Sequence, residues 1–350
     1  MQSPWDFADF DDHEVVHFVT HPATGLKAII AVHSTHLGPG AGGTRMWHYP
    51  NRGDAIADAL RLSRGMSYKN AMAGLALGGG KAVILADEAR TKTPEMFAAF
   101  GRGVEGLCGK YVTAEDVGVT VPDLVEVSKH TRHVSGLPVA AGAVGGDPGP
   151  HTSYGVYLGV RAAVRRALGK SSLSGLHIAI QGAGSVASGL ARLAATDGAR
   201  VSIADIDEAR AHRVADEVGG TVVPPQEIMT LEADVFSPNA LGAILTAETI
   251  AALRAPIVAG GANNQLATPA EGDMIHQRGI LYAPDYVINA GGIINVASEY
   301  LADADEAGVR AKIEKIPTRL EEIWDESDST GRNPAAVADT MAQRLIGRGS

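Results

Sequence analysis

Two lysines and two neighbouring carboxylates in the first third of the chain could act together in acid–base chemistry. The segment MSYKNAMAGLALGGGKAVI places Lys69 late in a predicted helix and Lys81 directly after three glycines, at the start of an apolar strand. Most lysines are solvated surface charges, but an apolar setting lowers the pKa of an ammonium into the range of a general base. The segment TAEDVG adds Glu115 and Asp116 after a strand, where a carboxylate more often only forms a turn. Each of these residues taken alone could be structural.

A second segment, HIAIQGAGSVASGLARLAATDGARVSIADID, has the pattern of a dinucleotide-binding turn. A strand ends at Gln181, Gly182-x-Gly184-x-x-Ala187 opens a helix, and the next strand ends at Asp205. Such glycines let the backbone approach a pyrophosphate at the helix N-terminus, and the later carboxylate accepts hydrogen bonds from a ribose diol. A carboxylate there would repel a 2′-phosphate, so the pattern favours NAD over NADP. The alternative is a glycine-rich turn that binds nothing.

The elements around the two lysines predict an α/β unit that opens with sheet. In chain order we expect a strand over 15–20, a turn over 22–25, a strand over 26–32, a glycine-rich loop over 38–43, a helix capped by Asp54, a strand over 81–85, a helix over 95–108 and a strand over 110–113.

The second half alternates strands and helices, which predicts a parallel, doubly wound sheet with helices on both faces. We expect strands over 177–181, 200–204, 221–223, 234–236, 256–259 and 280–283, with Asp207 as the cap of a helix. The Gly- and Pro-rich stretch 134–151 marks the domain boundary. The sequence thus predicts one domain over 1–140 and a second over 141–332, with a last helix over 333–347 that could pack back on the first.

Composition and charge bound the class of protein. The chain has 350 residues and a formal net charge of −10, so two domains are expected and nucleic acid is excluded as the main partner. Its one cysteine, Cys108, excludes an internal disulfide. The acidic N-terminal segment does not resemble a secretion signal and no long apolar run occurs, which indicates a cytoplasmic protein without membrane association. The twelve histidines lack ligand-like spacing, so no metal is expected.

Eight ordered motifs between residues 14 and 345 resemble those of the leucine, valine and phenylalanine dehydrogenases, a branch of the glutamate dehydrogenase superfamily. They are GPGAGGTRMW, RGMSYKNAMAG, GGGKAVI, YVTAEDVG, GDPGPHTSYGVY, GAGSVA, GGANNQL and APDYVINAGGIINVA. The resemblance implies an N-terminal α/β substrate domain, a C-terminal Rossmann-type NAD domain, a cleft between them, and a homo-oligomer, with dimers and octamers both known in the family.

The resemblance also implies a role for individual residues. Lys69 would bind the substrate carboxylate, Lys81 with a water would be the acid/base of the carbinolamine step, and Asp116 would carry a proton to and from the substrate nitrogen. The other implied substrate contacts are Ala41, Gly42, Ala114, Asn263, Asn289, Ile293 and Val296. The implied cofactor contacts are Thr152, Gly182, Gly184, Ser185, Val186, Ala187, Asp205, Ala240, Asn263 and Asn289.

The expected reaction is the NAD-dependent, reversible oxidative deamination of an apolar L-amino acid, of the leucine or branched-chain type, to a 2-oxo acid and ammonia. An aromatic substrate of the phenylalanine type, or a non-catalytic NAD-binding sensor with the same fold, are the alternatives. Two positions depart from the family pattern. Ala41 stands where leucine dehydrogenases carry Leu, which leaves the substrate open, and Asn239 stands where relatives commonly have Cys, near the nucleotide.

Overall fold

The computed structural model describes residues 3–86, 92–138 and 144–349. These residues form two compact units. The first comprises the described residues of Met1–Gly146, Val296–Glu306 and Ala342–Ser350, and the second comprises Asp147–Asn295 and Ala307–Met341. Both are α/β, which confirms the predicted fold class.

The first unit is built on a mixed sheet of five strands within the described residues. The strands are β1 (Val15–His21), β2 (Leu26–Ser34), β3 (Gly40–Trp47), β4 (Gly78–Leu85) and β5 (Tyr111–Glu115), and the helices are α1 (Arg52–Met72), α2 (Pro94–Glu105) and α3 (Val121–Ser128). The order across the sheet is β1-β2-β4-β3-β5. The antiparallel pairing of β1 with β2 confirms the predicted hairpin, and β3 runs parallel to both β4 and β5.

Alternation along the strands places α1 on one face of this sheet and α2 on the other. Side chains of a strand point in turn to opposite faces, and Ile29 and Ala31 pack with Leu60 of α1 while Ile30 packs with Phe97 of α2. On β4, Val83 belongs to the cluster on the α1 face. Lys81, two residues before Val83, therefore lies on the α1 face as well.

Three local predictions for this unit are wrong. Residues 40–43 are strand rather than loop, because their glycines allow the close approach of neighbouring layers described below. Strand β4 begins at Gly78 rather than at Lys81, for the same reason. The N-cap of α1 is Asn51, whose side chain accepts a hydrogen bond from the N–H of Asp54. Asp54 itself lies inside the first turn, where the positive end of the helix dipole stabilises its carboxylate.

The second unit contains a parallel sheet of six strands in the described part of the chain. The strands are β6 (His177–Gln181), β7 (Arg200–Ala204), β8 (Thr221–Val222), β9 (Val235–Pro238), β10 (Ile257–Val258) and β11 (Leu281–Tyr282). The helices from residue 149 onward, of which α10 and α13 belong only in part to this unit, are α4 (Gly149–Leu168), α5 (Ser185–Thr196), α6 (Glu208–Val218), α7 (Ala247–Ala252), α8 (Ala270–Gln277), α9 (Asp285–Ile288), α10 (Gly291–Leu301), α11 (Glu306–Ile313), α12 (Ile316–Thr330) and α13 (Pro334–Leu345). The order is β11-β10-β9-β6-β7-β8, so the direction of winding reverses between β6 and β9. Ligands of such sheets bind at this switch point, beyond the carboxyl ends of the strands.

The units differ in extent from the predicted domains. The predicted limit at residue 140 falls in 139–143, outside the described residues. Residues 296–306 belong to the first unit, although 141–332 is predicted as one domain. This segment makes long-range contacts there: the Glu299 carboxylate accepts hydrogen bonds from the N–H groups of Gly136 and Leu137, both at 3.1 Å.

The end of the chain divides between the units within α13. Residues from Ala342 onward belong to the first unit. There Gln343 donates a hydrogen bond to the Tyr68 hydroxyl at 3.0 Å, and Arg348 donates to the backbone carbonyls of Asp12 and His33. None of the helices in the described ranges combines the length and apolar character needed to cross a membrane.

Candidate active site

Helix α1 lies directly on the glycine face of β4, and this contact places both lysines. A Cβ on Gly79 would come within 2.1 Å of the Ser67 amide nitrogen, so only glycine fits there. The last turn of α1, which contains Lys69, therefore lies against β4, the strand that carries Lys81. The side chain of Lys69 is half-buried, whereas Lys81 is 6% exposed.

Lys81 forms an ion pair with Asp116, the residue that follows β5. The distance between Lys81 Nζ and Asp116 Oδ2 is 2.6 Å. Burial lowers the pKa of the Lys81 ammonium even though the Asp116 carboxylate opposes that shift. Burial favours the neutral acid at Asp116, but the charges of Lys81 and Arg45 outweigh it and keep the pKa of Asp116 below its ordinary value. Of the two carboxylates in TAEDVG, Asp116 is thus the one beside the lysine, and Glu115 is exposed.

Sequence reasoning missed Arg45 and Asp58. Arg45, on β3, donates from Nε to Asp116 Oδ2 at 3.1 Å and from an Nη atom to Asp58 Oδ2 at 2.9 Å. Arg45 lies in the motif GPGAGGTRMW, but nothing in the sequence pairs it with Asp58 on α1 or with Asp116 after β5. That pairing depends on which strands are neighbours, as the order β4-β3-β5 shows.

The predicted pocket residues of the first unit meet on adjacent strands. In the parallel pairing of β3 with β5, Ala41 is opposite Val112 and Gly43 is opposite Ala114. The Gly42 carbonyl accepts a hydrogen bond from the buried Tyr111 hydroxyl at 2.7 Å, and a Cβ on Gly42 would lie 1.9 Å from the Gly80 oxygen. The other two predicted pocket residues lie on α10, Val296 in the first unit and Ile293 in the second, and both are half-buried.

The glycine turn after β6 lies at the switch point of the second sheet. Gly182 has φ = +98°, a conformation that favours glycine, and a Cβ there would lie 3.1 Å from the Ala240 side chain beyond β9. Helix α5 begins at Ser185 with Gly184 as its N-cap and no side-chain capping bond. Its first N–H groups are therefore suited to an anion such as a pyrophosphate.

Asp205 follows β7 and is fixed beside this turn. Its Oδ2 accepts from the N–H of Ala183 at 2.7 Å and its Oδ1 from the N–H of Asp207 at 2.8 Å. A carboxylate has about four acceptor positions, so two remain for a ribose diol. Asp207 accepts from the N–H of Arg210 at 3.0 Å and caps α6, as predicted. On these observations the residues of the turn fit a dinucleotide.

A cavity of about 540 Å³ adjoins the start of α5. It is lined by Ala183, Gly184, Ser185, Ser188, Arg192, Arg210, Arg213, Val214 and Glu217. Two of the three arginines are paired with carboxylates, Arg192 with Glu217 at 2.5 Å and Arg210 with Asp207 at 3.3 Å. Their charge is therefore partly neutralised within the protein.

A chain of amide side chains connects the loops at the carboxyl ends of β9 and β10. Asn239 donates to the Ser237 carbonyl at 2.9 Å and accepts from the N–H of Gly261 at 2.8 Å. The buried Asn289 donates to the Gly261 carbonyl at 3.1 Å and to Asn263 Oδ1 at 2.8 Å. Asn239 thus connects the two loops through its hydrogen bond with Gly261. Among the described residues, Asn289 Oδ1 is buried without a hydrogen-bond partner, which suits a donor from a ligand.

The remaining predicted cofactor contacts lie around the same loops. Thr152, in the first turn of α4, donates to the Pro148 carbonyl at 2.9 Å, and its hydroxyl would be 2.5 Å from a Cβ on Gly292. Val186 lies against Gly261, where a Cβ would approach its side chain to 2.9 Å. Ala187 is 1% exposed and packs inside α5, so it shapes the turn rather than offering a polar contact.

Two family models match the chain in succession. Residues 13–133 match "Glu/Leu/Phe/Val dehydrogenase, dimerisation domain", and residues 202–345 match "Glutamate/Leucine/Phenylalanine/Valine dehydrogenase". The leucine dehydrogenase of Bacillus subtilis is 47% identical over 96% of this chain and 92% of its own length. The phenylalanine dehydrogenase of Bacillus thermotolerans is 41% identical over 98% and 91%.

A solved structure agrees with these matches. The crystal structure of L-tryptophan dehydrogenase from Nostoc punctiforme superposes with a TM-score of 0.86 at 40% identity, and 96% of each chain is covered. The resemblance inferred from the eight motifs is therefore confirmed, and the sensor alternative loses its support. The chain belongs to the Glu/Leu/Phe/Val dehydrogenase family and is an amino-acid dehydrogenase, similar to the leucine dehydrogenases.

Proposed function

We propose that this enzyme catalyses the reversible oxidative deamination of an apolar L-amino acid of the leucine type with NAD. An amino acid, water and NAD⁺ give the 2-oxo acid, ammonium, NADH and a proton. The observation that carries the proposal is the ion pair between buried Lys81 and half-buried Asp116, at 2.6 Å. It supplies two proton-transfer groups side by side, as the addition of water and the departure of ammonia require.

Each step of the proposed reaction is assigned to a residue whose chemistry suits it. Lys69 offers a cation to the substrate carboxylate. Lys81, whose pKa is lowered by burial, can lose its proton and accept one from the attacking water. Asp116 carries a proton to and from the substrate nitrogen as the carbinolamine forms and collapses. NAD, held by the turn at Gly182 and by Asp205, supplies the hydride acceptor when bound.

The comparisons favour the leucine type over the aromatic type, and the proposed pocket residues favour an apolar substrate over glutamate. The leucine dehydrogenase above shares 47% of its residues with the chain and the phenylalanine dehydrogenase 41%. The proposed lining residues Ala41, Ala114, Ile293 and Val296 are all uncharged and apolar, which disfavours glutamate. An assay of NADH formation at alkaline pH across a panel of L-amino acids tests the proposal. Leucine should rank first among them, and glutamate as the best substrate would contradict it.

Ala41→Leu should change the ranking of substrates by size. Ala41 is 6% exposed within β3, so a leucine there would fill the space that a larger substrate needs. At ~0.8 kcal/mol per buried CH₂, three carbons amount to roughly 2 kcal/mol, or about a 30-fold fall in kcat/KM for phenylalanine relative to valine. Steady-state kinetics with both substrates measure that ratio. A ratio that stays constant would mean that Ala41 does not line the pocket.

Asp205 should set the preference for NAD. A carboxylate accepts hydrogen bonds from a ribose diol and repels a 2′-phosphate, so kcat/KM for NAD should exceed that for NADP by about 100-fold or more. Asp205→Ser should reduce this ratio by at least about tenfold. Asp207→Asn is the matched control, because asparagine can still cap α6 and the ratio should persist. Comparable wild-type kcat/KM for the two cofactors would remove the assignment.

We also infer that the enzyme is a cytoplasmic homo-oligomer that binds only small molecules as substrates. Residues 13–133 match a dimerisation domain, which supports self-association. The single cysteine, Cys108, leaves no internal disulfide that would favour an oxidising compartment. Light scattering of the purified protein would give the number of subunits.

A further inference from the structure

One carboxylate oxygen of the proposed proton carrier receives two cations. Asp116 Oδ2 accepts from Lys81 Nζ at 2.6 Å and from Arg45 Nε at 3.1 Å. The side chain of Lys81 is 8% exposed, those of Asp116 and Arg45 about a quarter. Lys81 and Arg45 therefore share the charge of a single oxygen atom in a largely enclosed place.

Arg45 is itself held from a second direction. Asp58, on α1, accepts from an Nη atom of Arg45 at 2.9 Å and from the Tyr49 hydroxyl at 2.6 Å, both at Oδ2. Its other oxygen accepts from Arg61 at 2.7 Å. The planar guanidinium of Arg45 thus bridges two carboxylates from different elements, a geometry that the single ammonium of a lysine cannot reproduce.

We propose that Arg45 is a positioning residue of the deamination reaction: it fixes the Asp116 carboxylate against Lys81 and weakens the hold of that carboxylate on the Lys81 ammonium. The inference rests on the proposed function, in which Lys81 must lose a proton to activate water. If Asp116 were its only charged neighbour, the Lys81 ammonium would hold its proton more strongly. Because the positive charge of Arg45 shares the same Asp116 oxygen, it weakens this attraction and makes the proton of Lys81 easier to remove.

The charges around the pair agree with this role. Burial lowers the pKa of Lys81 most, Asp116 and Asp58 raise it, and Arg45 lowers it. Tyr49 and Arg61 act through Asp58, which they hydrogen-bond. From β5, buried Tyr111 is neutral, with its pKa raised to about 12, and Glu115 is exposed. Lys69, the other cation proposed for the site, lies on α1. Because it is present in all the variants below, its charge does not cause a difference between their pH profiles.

Arg45→Gln tests the proposal through the pH dependence of oxidative deamination. Loss of the guanidinium leaves Asp116 to Lys81 alone, so the acidic limb of kcat/KM should move to higher pH by about one pH unit. At a pH on that limb, kcat/KM should fall about tenfold, while KM for NAD stays within about twofold. Arg45→Lys keeps the charge but cannot bridge both carboxylates, so it should shift the limb less.

Arg61→Gln is the matched control. Arg61 pairs with the same Asp58 but does not contact Asp116. Arg61→Gln removes one exposed positive charge from the ion pairs around Asp58, and the pH profile should stay the same as that of the wild type. A profile of Arg45→Gln that superimposes on the wild type, or an equal shift in Arg61→Gln, would overturn the proposal.

A second measurement separates this inference from the proposed function. Trace acetylation of Lys81, quantified by mass spectrometry against pH without substrate, reports the protonation of Lys81 directly. Arg45→Gln, or Arg45→Met if the glutamine variant does not fold, should move this titration to higher pH, and an unchanged titration in the folded variant contradicts the role of Arg45. If the wild type fails to oxidise any amino acid, the proposed function fails, whereas the labelling still decides on Arg45.

Discussion

Lys81→Ala is expected to lower kcat for oxidative deamination by about 10²- to 10⁴-fold, the usual contribution of a general acid/base. The variant should fold, because Asp116 keeps its hydrogen bond to Arg45 and no buried charge is left unpaired. The affinity for NAD should change little, since the lysine belongs to the first unit and the dinucleotide turn to the second. The rate of NADH formation at saturating substrate measures kcat. A titration with NAD followed by the fluorescence of the protein measures the affinity for NAD.

Lys69→Ala is the comparison for this variant. A cation that binds the substrate carboxylate acts mainly in binding and orientation, so its loss should appear chiefly as a higher KM for the amino acid. The two lysines would then differ in which kinetic constant they affect. If Lys81→Ala kept more than a third of the wild-type kcat, its assignment as the base would be wrong.

Asp116→Asn should lower kcat by about 10²- to 10³-fold, because an amide can neither take up nor release the proton of the substrate nitrogen. It also removes the anion that stabilises the Lys81 ammonium, so the acidic limb of the residual activity should move to lower pH. This direction is opposite to that expected for Arg45→Gln. The pH profiles of both variants, measured with the same amino acid, show in which direction the acidic limb moves in each.

Glu115→Gln is the control for the loss of a negative charge in the same segment. Glu115 is adjacent to Asp116 in sequence but is exposed, so Glu115→Gln should leave kcat and the pH profile unchanged. Equal losses in Glu115→Gln and Asp116→Asn would indicate a general effect of charge rather than a proton carrier. The pair thereby tests the choice between the two carboxylates that the sequence alone leaves open.

Much of the second unit follows from the sequence, because its elements are set by local pattern. The strands predicted over 177–181 and 200–204 match β6 and β7 in both limits. Buried parallel strands are short apolar runs, and the helices between them carry caps such as Asp207. The turn between β6 and α5 is likewise local, so Gly182, Gly184 and Asp205 could be assigned to it before the fold was known.

The first unit is harder to predict, because its decisive contacts join distant parts of the chain. Glycines usually mark loops, yet Gly40, Gly42 and Gly43 lie within strand β3, where neighbouring atoms approach too closely for a Cβ at these three positions. The bridge from Asp58 through Arg45 to Asp116 joins three elements whose proximity depends on the strand order. The hydrogen bond between Glu299 and the N–H of Gly136, which links residues 296–306 to the first unit, likewise joins distant parts of the chain.

The close contact between α1 and the glycine face of β4 has a consequence for laboratory evolution of this enzyme. Libraries that aim at a new substrate range should leave the codons of Gly42 and Gly79 unchanged, since even alanine would place a carbon about 2 Å from a backbone atom. Ala41 on β3 is the neighbour of Gly42 in sequence and pairs with Gly79 on β4, Ala114 on β5 pairs with Gly43, and both alanines already carry a Cβ. Diversity introduced there would sample side-chain size without moving the two lysines.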